Sequence, residues 1–174
     1  KQAAAHDLRL LSGLFRLNGR TCRELAGDPD LPTWQGWVAR PGFLAPGFVN
    51  MTARLAGAAD WAGLVDELAL HFRANGTGVV GRTWFLGWSF GRLEAVTQPA
   101  LVDLDDLAGL VEQKAIVQEN TEAFLRGGAG QNLLLYGPRG TGKSSLVRAL
   151  ALRYGSAGLR LVEAGRDRLD GLTD

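Results

Sequence analysis

The sequence predicts an α/β chain: a mainly helical N-terminal part with a short aromatic β element, then the opening of a parallel α/β module. Three observations predict it. Apolar residues recur at helical spacing in the first third of the chain. A period-2 aromatic pattern follows at Trp84, Leu86, Trp88 and Phe90. Past Pro99, an apolar run, a glycine loop, a helical stretch and a second apolar run appear in that order.

Residues 2–18 place Leu8, Leu11 and Phe15 at helical spacing, and Asn18-Gly19 closes that helix. A short helical piece is expected at 21–27. Residues 31–48 hold three prolines and three glycines, so turns with aromatic anchors are expected there. Residues 60–74 read as a helix, with Asp60 as N-cap, Asn75-Gly76 as stop, and Leu64, Leu68 and Phe72 as the buried stripe. One or two short strands are expected over 79–96. Residues 101–110 form an acidic lead-in, and 111–126 a helix closed by Gly127-Gly128. The continuous apolar run Asn132 to Tyr136 has the composition of a buried parallel strand. A helix from about Lys143 to Tyr154 and a strand at 159–164 complete a βαβ pattern. The division drawn from these shifts is 1–100 and 101–174.

The 174 residues carry 19 basic and 18 acidic side chains, a net charge of +1. With no basic block, that balance argues against a general binder of nucleic acid. The single cysteine, Cys22, excludes an internal disulfide framework and fits a reducing, cytoplasmic setting. No apolar run reaches the ~18 residues of a membrane helix.

The segment Gly137-Pro138-Arg139-Gly140-Thr141-Gly142-Lys143-Ser144 matches G-x-x-x-x-G-K-[ST] at every fixed position. To hold a triphosphate, backbone N–H groups must converge on the β-phosphate through positive-φ turns, which glycine allows. The helix that starts near Lys143 adds unpaired N–H groups and the positive end of its dipole. Lys143 is the expected point charge between β- and γ-phosphates, Ser144 the expected Mg²⁺ ligand, and Ser145 a donor to the α-phosphate. This is the Walker A pattern of an ATP-binding P-loop.

A second glycine motif, Gly76 to Gly81, fits G-x-G-x-x-G but follows a helix and precedes a strand-like stretch, both wrong for a dinucleotide fingerprint. It is read as a helix stop and turn. His6 and His71 lack partners at metal-ligand spacing and are read as structural or surface residues. Cys22 is read as a small buried side chain. The five tryptophans are read as core, and Asp103, Asp105 and Asp106 as a solvated lead-in, not a metal loop. Glu163 ends the strand after the loop, but no preceding Asp marks it as a Walker B residue. Catalytic residues are therefore not assigned.

Residues 104–172 resemble the start of the AAA+ module in a family of bacterial ATP-binding proteins of unknown function. The resemblance rests on an L-x-x-L-x-G lead-in (Leu104 to Gly109), an N-T-x-x-F-L helix end (Asn120 to Leu125) and the G-x-R-G-T-G-K-S-S-L-V loop (Gly137 to Val147). It implies a P-loop NTPase fold, here cut off after its second strand. It implies that Leu107 and Gly109 belong to the adenine pocket, that ring-shaped homo-oligomers form, and that a neighbour supplies an arginine finger. The expectation is an ATPase in a longer protein, with Mg-ATP hydrolysis coupled to remodelling or loading of a protein partner. On that expectation Walker B, sensor residues and the arginine finger lie beyond Asp174. The alternatives are a nucleotide-gated interaction protein without turnover and a small-molecule kinase of the P-loop type.

Overall fold

The computed structural model describes residues 1–17, 19–30 and 42–165. Asn18, residues 31–41 with Trp34 and Trp37, where turns are expected, and residues 166–174 lie outside the described residues. The chain divides into two compact units.

The first unit comprises residues 1–41 and 50–73. Helix α1 runs Gln2–Phe15 and α2 Gly19–Ala26. The expected α1 stripe is mostly open: Leu11 and Phe15 are 49% and 45% exposed. Phe15 instead stacks on Trp61 at a ring separation of 5.2 Å. Trp61 opens a 3₁₀ turn, Trp61–Leu64, whose N-cap is Asp60, accepting from the Ala62 amide at 2.9 Å. That bond holds the Asp60 carboxyl below the ordinary carboxylate range. Helix α4, Val65–Asn75, continues from the turn. Leu64 and Leu68 are buried as expected, but Phe72 is half-exposed. Helix α3, Pro46–Gly57, of which residues 50–57 belong to this unit, begins inside the stretch 31–48 expected to be turns; Pro46 stands at its first position, where a missing N–H costs nothing.

The second unit comprises residues 42–49 and 74–174. The helix α5, Gly78–Arg82, leads into β1, Phe85–Ser89, and β2, Arg92–Ala95. Phe90 and Gly91 join the strands with φ of 51° and 74°. Both values positive is the signature of a type I′ hairpin turn, whose twist suits the flanking strands. Helices α6, Val111–Leu125, and α7, Lys143–Tyr154, follow, then β3, Leu161–Ala164. The sheet order is β2-β1-β3: β1 runs antiparallel to β2 and parallel to β3, with Phe85 opposite Leu161.

Helix α7 organises two cores. Leu146, Ala149 and Leu150 pack with Leu104 and Val117. Ala151 packs with Trp84, Phe85 and Ala45, with Phe43 and Leu161 beside them. Phe85 meets Phe43 edge-on, 5.1 Å between ring centres. Trp84, Phe85 and Leu86 are all buried, so the expected strict alternation holds on neither face at that end.

The run 132–136 departs from the expected buried strand. It takes no place in the sheet among the described residues. Leu134 and Tyr136 are 85% and 88% exposed, and only Leu135 packs against the Leu104–Leu146 core. β3, joined to this run through α7, pairs along one edge with β1, and its other edge takes no strand among the described residues. The βαβ pattern thus yields a parallel β1–β3 pair with a hairpin strand at its edge, and the small three-stranded sheet belongs to a mixed helical and α/β chain. Among the described residues no helix is long and apolar enough to cross a membrane.

Candidate functional site

The glycine loop lies between the apolar run 132–136 and α7. Gly137, Gly140 and Gly142 have φ of 137°, 82° and 81°. A Cβ at Gly140 would meet open space, and one at Gly142 would only touch Leu110 at 3.7 Å. Conformation, not crowding, is what requires glycine there. Gly142 is the N-cap of α7, and its carbonyl accepts from the Leu146 amide at 2.8 Å. The amides of Lys143, Ser144 and Ser145 stand in the first turn of that helix, where no intrahelical acceptor is available to them.

The Lys143 ammonium turns back over the loop. It donates to the carbonyls of Gly137 and Pro138 at 2.8 and 2.5 Å and to Thr141 Oγ1 at 3.2 Å. Thr141 Oγ1 donates to the Pro138 carbonyl at 3.0 Å. A cation is therefore held inside the curl of the loop, beside the helix N-terminus. Residues Arg139 to Ser145 line a cavity of about 370 Å³. Of the loop residues named from the sequence, Arg139 to Ser145 therefore share one concavity, with Ser144 exposed at its helix end, and Gly137 and Pro138 line a neighbouring one.

A second cavity, also about 370 Å³, opens beside the first and shares Thr141 and Lys143 with it. Leu110, Gln113, Leu135, Tyr136 and Leu146 are among its walls. Of the two lead-in residues named from the sequence, Leu107 packs against the Leu104–Leu146 core, and Gly109, φ 68°, forms the turn before α6. Neither lines this cavity; Leu110 and Gln113 do. Leu110 sits in the left-handed region, φ 55° and ψ 29°, as the N-cap of α6. A residue with a Cβ in that conformation is strained, which the surrounding structure must over-determine. Nothing in its residue type announced this.

The remaining candidates resolve as follows. Glu163 forms a two-pronged ion pair with Arg148, at 2.8 and 3.3 Å. Asp103 Oδ1 accepts from the Asp105 amide, and Asp105 pairs with Arg153, so the lead-in acids serve local structure. Among the described residues no His, Cys, Asp and Glu group could hold a metal ion. Cys22 is free and half-buried. In the second glycine motif, Gly76 and Gly78 have positive φ, and a Cβ on Gly81 would fall 2.5 Å from the Gly76 carbonyl oxygen. That motif is a close-packed helix stop and turn: α4 ends at Asn75, the short helix α5 begins within the motif at Gly78, and β1 follows from Phe85. The five-tryptophan reading holds for Trp84, which is buried.

Two residues outside the motif shape the region. Asn120 exchanges two hydrogen bonds with the backbone of Gln131. Tyr154, on α7, donates to Glu122 on α6 at 2.7 Å. Burial, and then that hydrogen bond, push the Tyr154 hydroxyl above its ordinary value.

Comparison with known proteins adds two matches. The mouse (Mus musculus) protein Fidgetin is 36% identical over 80 residues, which cover 41% of this chain and 10% of Fidgetin. The chain thus spans about a tenth of that relative. No solved structure matches the chain significantly. Residues 81–174 match the family described as "Protein of unknown function (DUF815)". Because the family match takes in more than half of the 174 residues, the chain belongs to that family of proteins of unknown function.

Proposed function

We propose that this chain binds Mg-ATP on residues 137–145 as the phosphate-binding part of an AAA+-type ATPase. The observation that carries the reading is the loop itself. Three glycines at positive φ curl the backbone over the N-terminus of α7, with the Lys143 ammonium inside the curl. The donor set suits an anion: first-turn amides, a helix dipole and one flexible cation. Lys143 would exchange its loop carbonyls for β- and γ-phosphate oxygens. Ser144 would offer Mg²⁺ a hard oxygen, with phosphates and water completing the shell. Bound Mg²⁺ supplies charge neutralisation at the phosphates. Ser145 and the Gly140, Thr141 and Gly142 amides would hold the remaining phosphate oxygens, and Pro138 and Arg139 shape the outer turn.

The base is placed in the cavity beside the loop. Leu110 and Gln113 would form its wall, with Leu107 and Gly109 supporting the turn that presents them. The wider reading retains a longer protein in which hydrolysis drives remodelling or loading of a protein partner, with residues 1–100 as the recognition region and 101–174 as the nucleotide module. Ring assembly belongs to that reading. The alternative is a nucleotide-gated interaction protein without turnover.

The test is calorimetric titration of the full chain with Mg-ATP, ADP and Mg-GTP, wild type against Lys143→Ala. Loss of a charge-assisted contact to phosphate is expected to weaken ATP binding at least about tenfold. Equal affinity in the two proteins refutes the reading.

A further inference from the structure

We infer that Asn120 is a positioning residue for the phosphate loop: its side-chain amide gives the Gln131 backbone the two hydrogen bonds a neighbouring strand would give and fixes where the loop begins. The inference rests on the nucleotide reading above for its ligand, but its geometry is independent of it.

Asn120 lies in the last two turns of α6. Its Nδ2 donates to the Gln131 carbonyl at 2.9 Å, and its Oδ1 accepts from the Gln131 amide at 2.7 Å. One carboxamide thereby reproduces the two-bond exchange of a closely spaced antiparallel pair. The chain between the partners is tightly folded. Gly127 has φ 78°, the Gly128 amide donates to the Ala123 carbonyl at 2.9 Å, and Gly130 lies against Phe124.

What makes the clamp consequential is the segment it launches. No backbone–backbone hydrogen bond among the described residues reaches 132–136. That run leads straight to Gly137. Its course is set by the Asn120 clamp at one end and by Leu135, packed against the core of α6 and α7, near the other. Gly137 in turn supplies one of the carbonyls that hold Lys143. Release of Gln131 would leave the entry to the loop, among the described residues, anchored by Leu135 and by the Lys143 bond to Gly137.

The experiment uses the full chain, with wild type, Asn120→Ala, Asn120→Asp and Tyr154→Phe. Asn120→Ala removes both bonds. Asn120→Asp keeps an acceptor for the Gln131 amide but sets a second oxygen against the Gln131 carbonyl, so it gives no rescue. Tyr154→Phe removes an α6–α7 hydrogen bond away from the loop and reports the cost of a merely structural tie. Two quantities are read: Mg-ATP affinity, and amide hydrogen exchange across 131–137. Both Asn120 variants are expected to weaken ATP about fivefold or more and to speed exchange at Gln131. Tyr154→Phe is expected to change thermal stability without changing ATP affinity. Asn120→Ala with wild-type affinity and unchanged Gln131 exchange overturns the inference, as does an equal loss of affinity in Tyr154→Phe. Wild type that takes up no ATP refutes the nucleotide reading instead, and the clamp then stands or falls on whether Asn120→Ala speeds exchange across 131–137.

Discussion

Gly142→Ala gives the most direct measure of how much backbone conformation contributes to the site. Gly142 sits at φ 81° and ψ 8°, as N-cap of the helix whose first turn carries Lys143, Ser144 and Ser145. A left-handed residue with a Cβ costs roughly 1–2 kcal/mol. Crowding adds little, because the new methyl would only reach ordinary contact with Leu110 Cδ1 at 3.7 Å. The loop is exposed, so the variant can relieve the strain by swinging the turn out of its left-handed conformation. Global stability should then change little. The relaxed loop would no longer aim its amides at one point, and a phosphate would have to restore the original turn. The strain therefore appears in binding. At 1.4 kcal/mol per factor of ten, the expected loss of Mg-ATP affinity is roughly 5- to 30-fold. Gly142→Asn supplies the control, since asparagine enters the left-handed region more readily than alanine. The assay is calorimetric titration of the three proteins, with thermal unfolding of each alongside. Unchanged affinity in Gly142→Ala refutes the reasoning, as does an asparagine variant weaker than the alanine one.

Two further outcomes are expected. In Gly155→Ala the added methyl would fall 2.0 Å from a Trp84 ring carbon, in a buried cluster; the overpacking should destabilise the second unit by about 3 kcal/mol, read as a lowered urea midpoint. A midpoint equal to wild type would show that α7 does not seat on Trp84 as described. The Tyr154 hydroxyl ionises above its ordinary 10.0 in the folded chain, chiefly through burial. Its stabilising contribution is therefore complete below pH 10.0 and is lost as the pH climbs through the raised value. The urea midpoint of wild type should fall more steeply above pH 10.0 than that of Tyr154→Phe, and parallel alkaline profiles would contradict this.

The parts of the fold that were legible in the sequence are those whose causes are local. Helices α6 and α7 begin and end where the residue pattern places them, because Gly142 and Gly127 supply positive φ at their boundaries. The glycine spacing of the loop likewise states its own backbone requirement, and the structure brings Arg139 to Ser145 around a single concavity. Asp60 announced itself as an N-cap for the same reason: its acceptor and donor are two residues apart. Helix α3 was masked by Pro46 and Gly47, residues that signal turns on average but suit the first turn of a helix.

Non-local choices left weaker traces. A continuous apolar run says that both faces of a segment favour burial; it does not say which strand will lie beside it. The run 132–136 takes no place in the sheet among the described residues, and β3 pairs with β1 of the hairpin. Alternation at Trp84 to Phe90 could not reveal that partnership either. It depends on Phe85 and Leu161 meeting over Ala151 and Leu152, across more than half of the second unit's sequence. The base-side wall shows the same limit. Leu107 and Leu110 are equally apolar and three residues apart, and only the left-handed turn at Leu110 decides which one faces the cavity. Asn120 is the converse case. Its residue type is uninformative on a helix, yet its two bonds to Gln131 replace a strand's edge with a single side chain. Backbone groups must find partners wherever the fold leaves them. A site built on a segment outside the sheet therefore depends on side chains to supply what a neighbouring strand would otherwise provide.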